Sequence, residues 1–260
     1  MTTPPTPHGT AALYCLFGDI TWLQISFLSV YPSVDKVYFF LSSSPWYGSE
    51  RSSEISEDLL RALPDPHGKI EIVSGAWNSE TEQRNFTLAY AQSAGYEYGL
   101  IVDADEVYES THLQSAINLA HQRRDVAVWH INWFTYWRSQ DYRIEPIEPY
   151  QPTVLIHLGY AAFVETRNAV GQKHDLIPPT TCMCHHLSYA LSDEALQRKH
   201  IMQPGHSQSA YPGWYESKWC AWLNDPTITD LHPVNPPWYA RAVRQPEDLK
   251  PSLLRGRGPW

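Results

Sequence analysis

The stretch that decides the fold is Tyr98-Gly99-Leu100-Ile101-Val102-Asp103-Ala104-Asp105-Glu106. Its first five residues are apolar enough for a strand buried on both faces, as strands of a parallel sheet are. The strand then discharges into three carboxylates within four residues. In an open α/β sheet ligands bind outside the carboxyl ends of the strands, and Asp103 and Asp105 sit at such an end. With one residue between them in an extended segment, both side chains point the same way. Two hard oxygen ligands therefore converge where Mg²⁺ or Mn²⁺ can bridge them to a diphosphate. Carboxylates so crowded repel one another unless a cation or hydrogen-bond donors neutralise them. The plainer reading is a solvated acidic turn that starts a helix, since a bare D-x-D is common by chance.

Upstream of this strand, short apolar runs alternate with amphipathic stretches, the pattern of βαβ units and a mainly parallel sheet. Ala11 to Phe17 reads as a first strand, and Asp19 as the cap of a helix that carries Ile20, Leu23, Phe27 and Val30 on one face until Pro32. Lys36 to Leu41 is a second strand, followed by the Ser42-Ser43-Ser44 turn and a helix marked by Ile55, Leu59, Leu60 and Leu63. Lys69 to Val73 is a third. Ser79 and Glu82 form a capping box for a helix with Phe86, Ala89, Tyr90 and Ser93 at helical spacing, and Gly95 stops it.

Downstream, Ser110 caps a helix whose Leu113, Ala116, Ile117 and Ala120 face inward. Val126 to Ile131 and Val154 to Leu158 read as strands separated by an aromatic, charged loop from Trp133 to Pro152. Ser192 caps a helix with Asp193 and Glu194 in its first turn and Arg198, Lys199 and His200 in its last, matching the macrodipole. Tyr215, Trp219, Trp222 and Leu223 suggest one more helix, and the proline-rich tail to Trp260 is expected along the surface. There is no internal repeat. The expected organisation is a loose tail (residues 1–10), an α/β core (11–190) and a loop-rich, helical extension packed on it, on the acceptor side (191–260).

Composition agrees with a single sizeable core: 260 residues, 43% hydrophobic and 13% aromatic. Nineteen basic against 28 acidic residues give a net charge of −9, which disfavours nucleic acid and anionic membranes as partners. No apolar stretch approaches the roughly 20 residues of a membrane span, and Met1 to Thr10 lacks the basic and apolar regions of a signal peptide. The four cysteines, Cys15, Cys182, Cys184 and Cys220, read as thiols of a reducing compartment, so a soluble, cytoplasmic chain is expected. Eleven Trp, 16 Tyr and 21 Pro suit a carbohydrate-binding surface, although aromatic core filling explains them as well.

Three segments resemble the glycosyltransferases of the GT-A fold, especially family 2 and its relatives. They are Trp22-Leu23 through Val34-Asp35-Lys36-Val37, the R-N helix in Trp77-Asn78-Ser79-Glu80-Thr81-Glu82-Gln83-Arg84-Asn85-Phe86, and the D-A-D-E strand end, covering Ala11 to Ala120. The resemblance implies a Rossmann-like α/β fold and transfer of a sugar from a nucleotide-diphosphate donor to the hydroxyl of a carbohydrate or other acceptor. It implies donor contacts from Phe17, Ser42, Arg84, Asn85, Asp103 and Ala104. Asp103 would face the nucleotide, and Asp103 and Asp105 would hold Mn²⁺ or Mg²⁺. His186-Leu187-Ser188-Tyr189, followed by Ser192-Asp193-Glu194, Lys199 and His206, is similar to a downstream H-x-S-[YW] segment and adds His186 as a further ligand. Family 2 commonly has an aspartate after strand two for the base; here Leu41-Ser42-Ser43-Ser44 stands there, so the likeness does not extend to the base. Glu165 and Asp175 are the candidates for a catalytic base.

Three other readings compete. Structural zinc at Cys182, Cys184, His185 and His186 would need loops that let four donors surround an ion, and these ligands are too crowded. A nucleotidyltransferase would show a glycine-rich, basic loop after strand one, where the chain has Phe17-Gly18-Asp19-Ile20. A non-catalytic sugar-binding protein would keep the fold without turnover.

Overall fold

Thr10–Leu16 form β1, buried at every position, inside a sheet of seven strands. The computed structural model describes residues 9–46, 53–199 and 209–257. The sheet runs β12 (His174–Leu176), β6 (Val128–His130), β9 (Thr153–His157), β4 (Tyr98–Val102), β1, β2 (Lys36–Ser42) and β3 (Ile70–Gly75). All neighbours are parallel except β9, which runs against both β4 and β6. This is the mixed α/β architecture with a mainly parallel sheet and flanking helices that the sequence pattern predicts.

The two-residue period of a strand sorts the core. Ala12, Tyr14 and Leu16 of β1, with Val37, Phe39 and Leu41 of β2, pack on one face with α1 (Leu23–Val30), α2 (Glu57–Arg61) and α4 (Ser110–Gln122). Ala11, Leu13, Tyr38 and Phe40 pack on the other with α3 (Glu80–Ser93). Gly95, at φ 88°, ends the turn after α3 in a conformation that glycine adopts without strain.

Local chemistry departs from the sequence expectation in several places. Asp19 does not cap α1: its Oδ1 accepts from the Thr21 amide at 2.9 Å, an Asx turn two residues early, and the cap position is Trp22. The capping box is shifted by one residue. Ser79 accepts from the Glu82 amide, but the Glu82 carboxylate reaches back to the Asn78 amide. Ser110 is the first residue of α4 rather than its cap, and its hydroxyl donates to the Ser29 carbonyl. The Ser192 cap does form, accepting from the Ala195 amide ahead of α5 (Asp193–Arg198), while His200 lies outside the described residues.

A second sheet of five strands leans on the first: β14 (Arg241–Arg244), β8 (Ser139–Glu145), β7 (Trp133–Trp137), β13 (Cys184–Tyr189) and β5 (Glu106–Val107). The expected loop from Trp133 to Pro152 is therefore largely a hairpin, reversed at Arg138, which sits at φ 62°. The tail is not confined to the surface either. β14 adds an edge to this sheet, and Lys250 and Leu254 are buried. Trp22, Trp137, Leu187, Trp214 and Leu254 share one apolar cluster, so a division at residue 190 runs through a common core. Tyr215–Cys220 and Ala221–Leu223 form a wide π turn and a 3-10 turn rather than an α-helix. Thr10 belongs to β1 and Gly9 precedes it, and residues 1–8 of the expected tail lie outside the described residues. Among the described residues no helix is long and apolar enough to cross a membrane.

Candidate functional site

The order 3-2-1-4 reverses direction between β1 and β4, which makes their carboxyl ends the switch point where an open α/β sheet binds ligands. A cavity of about 460 Å³ opens there. One wall is the end of β1 and β4, with Phe17, Asp103 and Ala104; the other is the second sheet, the segment after β8 and the C-terminal segment, with His186, Glu148 and Trp238 respectively. The chain passes from one sheet to the other within Asp103-Ala104-Asp105: β4 ends at Val102, β5 begins at Glu106, and the Asp105 carbonyl already accepts from the Leu187 amide.

The two aspartates do different things. Asp103 Oδ1 accepts from Arg84 Nη2 and Oδ2 from Arg167 Nη1, both at 2.8 Å. Arg84 also binds Glu80, and Arg167 reaches Glu106 and the Thr153 carbonyl, so five charged groups form a chain that is buried except at Asp103, which is partly exposed. Burial works against the Asp103 carboxylate, yet Arg167 and Arg84 outweigh it and hold its pKa well below the usual range. Burial pushes Glu106 up to about 7 and raises Glu80 as well. The carboxylate repulsion anticipated from sequence is thus relieved at Asp103 by guanidinium groups.

Asp105 faces the cavity instead. Its Oδ2 accepts from Lys199 Nζ at 3.1 Å, and its Oδ1 lies 3.8 Å from His186 Nε2. Lys199, just past α5, is oriented by the Ser188 carbonyl and hydroxyl. The His186 ring stacks on Trp133 with centroids 3.8 Å apart, and burial pushes its pKa down to about 4, leaving a neutral imidazole. Its Nδ1 is buried with no partner. His185, on the opposite face of β13, is committed to the Tyr136 hydroxyl.

The residues fit a divalent cation at Asp105 and His186, a hard oxygen and a neutral nitrogen across a gap one ion can bridge. At Asp103 each oxygen already accepts from a guanidinium group, so an ion there would share the carboxylate with Arg84 and Arg167. Among the described residues no group of three or more His, Cys, Asp or Glu is arranged around a common point, so a bound ion would take its remaining ligands from substrate or water. The four cysteines are free thiols, and Cys182 and Cys184 form no zinc cluster with the histidines.

Of the residues singled out from sequence, the structure gathers Phe17, Arg84, Asp103, Ala104, Asp105 and His186 around the cavity. Four others are elsewhere. The Ser42 hydroxyl closes its own turn on the Ser44 carbonyl. Asn85 binds the backbone N–H and C=O of Phe163 and so pins the hairpin of β10 (Ala161–Glu165) and β11 (Asn168–Gly171) to α3. Glu165 is exposed on that hairpin, and Asp175 pairs with Arg123 at the far edge of the main sheet. His206 lies outside the described residues. Sequence reasoning missed Arg167 and Glu148. Arg167 stands two residues from Glu165, in the turn between β10 and β11, where strand alternation gives no direction for a side chain.

No protein-family model and no curated protein matches this chain. Among solved structures it is similar to residues 1–349 of S. aureus TarS, at 10% identity and TM-score 0.40, over 76% of this chain and 67% of that one. The same TarS segment in complex with UDP matches at 10% identity and TM-score 0.39, with the same coverage of 76% and 67%. Against the longer TarS structure the chain spans 40% of that protein's length. A 4-diphosphocytidyl-2C-methyl-D-erythritol synthase from Anaerococcus prevotii DSM 20548 matches at 12% identity and TM-score 0.39, over 75% of this chain and 96% of that one. Likenesses at this level assign neither substrate nor mechanism; the residues of the cavity have to.

Proposed function

We propose that the chain is a glycosyltransferase that moves a sugar from a nucleotide-diphosphate donor to an acceptor hydroxyl, with a divalent cation at Asp105 and His186. One observation carries the reading: Asp105, His186 and Lys199 converge on a cavity at the switch point of a mainly parallel sheet. Phe17 and Ala104 line the donor side. Arg84 and Arg167 fix Asp103 so that its carboxylate stays charged and immobile beside the nucleotide. The Lys199 ammonium, half-turned between Ser188 and Asp105, is positioned to offer charge to a departing diphosphate. When bound, the cation, Mn²⁺ or Mg²⁺, would add Lewis-acid stabilisation of the same charge.

The C-terminal segment supplies His232, Trp238 and Tyr239 to the opposite wall, which we assign to a carbohydrate or other hydroxyl acceptor. Four free thiols accord with a cytoplasmic location. A nucleotidyltransferase is disfavoured because Phe17-Gly18-Asp19 brings no basic phosphate loop to the end of β1.

One observation favours a second reading. Asp103 and Asp105 already have basic partners of their own, so a metal-free site that holds the diphosphate through Lys199 alone is also chemically complete. Thermal-shift titrations of UDP and GDP with and without Mn²⁺ separate the two. The proposal expects stabilisation by at least one nucleoside diphosphate that grows with Mn²⁺, and loss of the metal-dependent part in Asp105→Ala. Stabilisation of equal size with and without the ion would favour the metal-free reading, and no stabilisation by either nucleotide would sink both.

A further inference from the structure

Resting on the transferase reading above, we infer that Glu148 is the group that takes the proton from the acceptor hydroxyl, and that the reaction inverts configuration at the transferred carbon. Among the described residues five carboxylates line the cavity: Asp19, Glu80, Asp103, Asp105 and Glu148. Three are paired with cations and a fourth is sealed off. Glu80 and Asp103 are bound to guanidinium groups, Asp105 to Lys199, and the Oδ2 of Asp19 is buried without a partner while its Oδ1 holds a turn. A carboxylate paired with a cation is a poor base, because the cation stabilises the charge that protonation would remove.

Among the described residues Glu148 has no cationic partner. Its Oε2 accepts from the hydroxyls of Thr135 at 2.7 Å and Tyr239 at 3.1 Å, which fixes the side chain without neutralising it. No hydrogen bond reaches Oε1 among the described residues, and this atom is not sealed off as Asp19 Oδ2 is. The absence of a countercharge agrees with a carboxyl pushed up to about 7 by burial, where it holds a substrate proton well near neutrality. His232 cannot take this role at Nδ1, which already accepts the Val234 and Asn235 amides.

Placement fits as well. Thr135 is the register partner of His186 on the adjacent strand, so their side chains share a face about 5 Å apart. Glu148 therefore stands one hydrogen bond beyond the strand neighbour of the proposed cation ligand. Lining the same cavity, the indole of Trp238, 36% exposed, offers a flat apolar face that suits a sugar ring as acceptor.

The step balances simply. The acceptor O–H bond breaks and its proton goes to Glu148 Oε1. The oxygen pair forms the new bond to the sugar carbon from the side opposite the diphosphate. The bond to the diphosphate oxygen breaks and its electron pair leaves with the nucleotide.

The test uses the full chain with a panel of UDP- and GDP-hexoses, Mn²⁺, and either water or octyl β-glucoside as acceptor. Glu148→Gln keeps an oxygen for Thr135 and Tyr239 but cannot take a proton. It should lower kcat by at least about 100-fold while nucleoside diphosphate affinity stays within about twofold. Formate should restore turnover to Glu148→Ala, which a merely structural residue would not allow, and the product should show inverted anomeric configuration by NMR. A Glu148→Gln protein turning over within about threefold of wild type, or a retained configuration, overturns this inference and leaves the transferase reading standing. A wild-type chain that neither binds UDP or GDP nor releases them overturns both.

Discussion

The two walls of the cavity treat the same side chain in opposite ways. At the end of the main sheet Glu80, Asp103 and Glu106 are woven with Arg84 and Arg167 into one chain of charges, buried but for Asp103. In the segment that follows β8 Glu148 is also buried, but among the described residues it meets only hydroxyl groups. The first environment locks charge in place and makes a rigid floor; the second leaves a carboxyl free to gain and lose a proton. Opposed environments for like groups are how a site divides labour between holding and reacting.

The largest effect expected from breaking this contrast comes from Arg167→Met. It would strand Asp103 and Glu106 without their shared cation and destabilise the fold by about 3–5 kcal/mol, read by urea unfolding. A loss under about 1 kcal/mol would mean that the buried chain of charges is not what holds the floor.

The next effect is a pH dependence. Glu148 titrates near 7 in the folded chain against the usual 4.5, so the native state holds its proton more tightly than the unfolded one. Its stabilising contribution is complete below about 4.5 and is lost as pH rises through about 7, on the order of 3 kcal/mol over that window. The difference in unfolding free energy between wild type and Glu148→Gln should track that window, and parallel pH curves for the two proteins would count against it.

The smallest effect sharpens the boundary of the site. Asn85→Ala removes both bonds to the Phe163 backbone and should cost about 2 kcal/mol, while nucleoside diphosphate affinity stays unchanged. Weaker nucleotide binding in that variant would return Asn85 to the donor pocket.

The main sheet was legible because its signals are local. The apolar run of β4 and the helical spacing and glycine stop of α3 can each be read within one window. The second sheet was not. Trp133-Phe134-Thr135-Tyr136-Trp137 carries aromatic groups on both faces, which erases the alternation that marks a half-buried strand. Its reversal at Arg138 uses a left-handed residue where a reader looks for Gly or Asn. β14 pairs with a strand about 100 residues earlier in the chain, a partnership no local pattern announces.

The same holds for the site. The D-A-D-E signal located the cavity, but which oxygens face it depends on Arg167 and Lys199, which arrive from distant hairpin and helix ends. Glu148 had no motif at all. Its only sequence sign is an acid among prolines and aromatic residues in Pro146-Ile147-Glu148-Pro149-Tyr150.

The crossing from one sheet to the other at Ala104 has a consequence for how this chain can vary. Register with β13 is fixed through Glu106 and Val107 on one side and register of Val102 with β1 on the other, so the seam has no slack. A residue added there would have to sacrifice either the strand pairing or the orientation of every side chain that follows. Length variation, the ordinary route by which loops around a binding site diversify, is closed at this point, and novelty has to enter through the more permissive far rim.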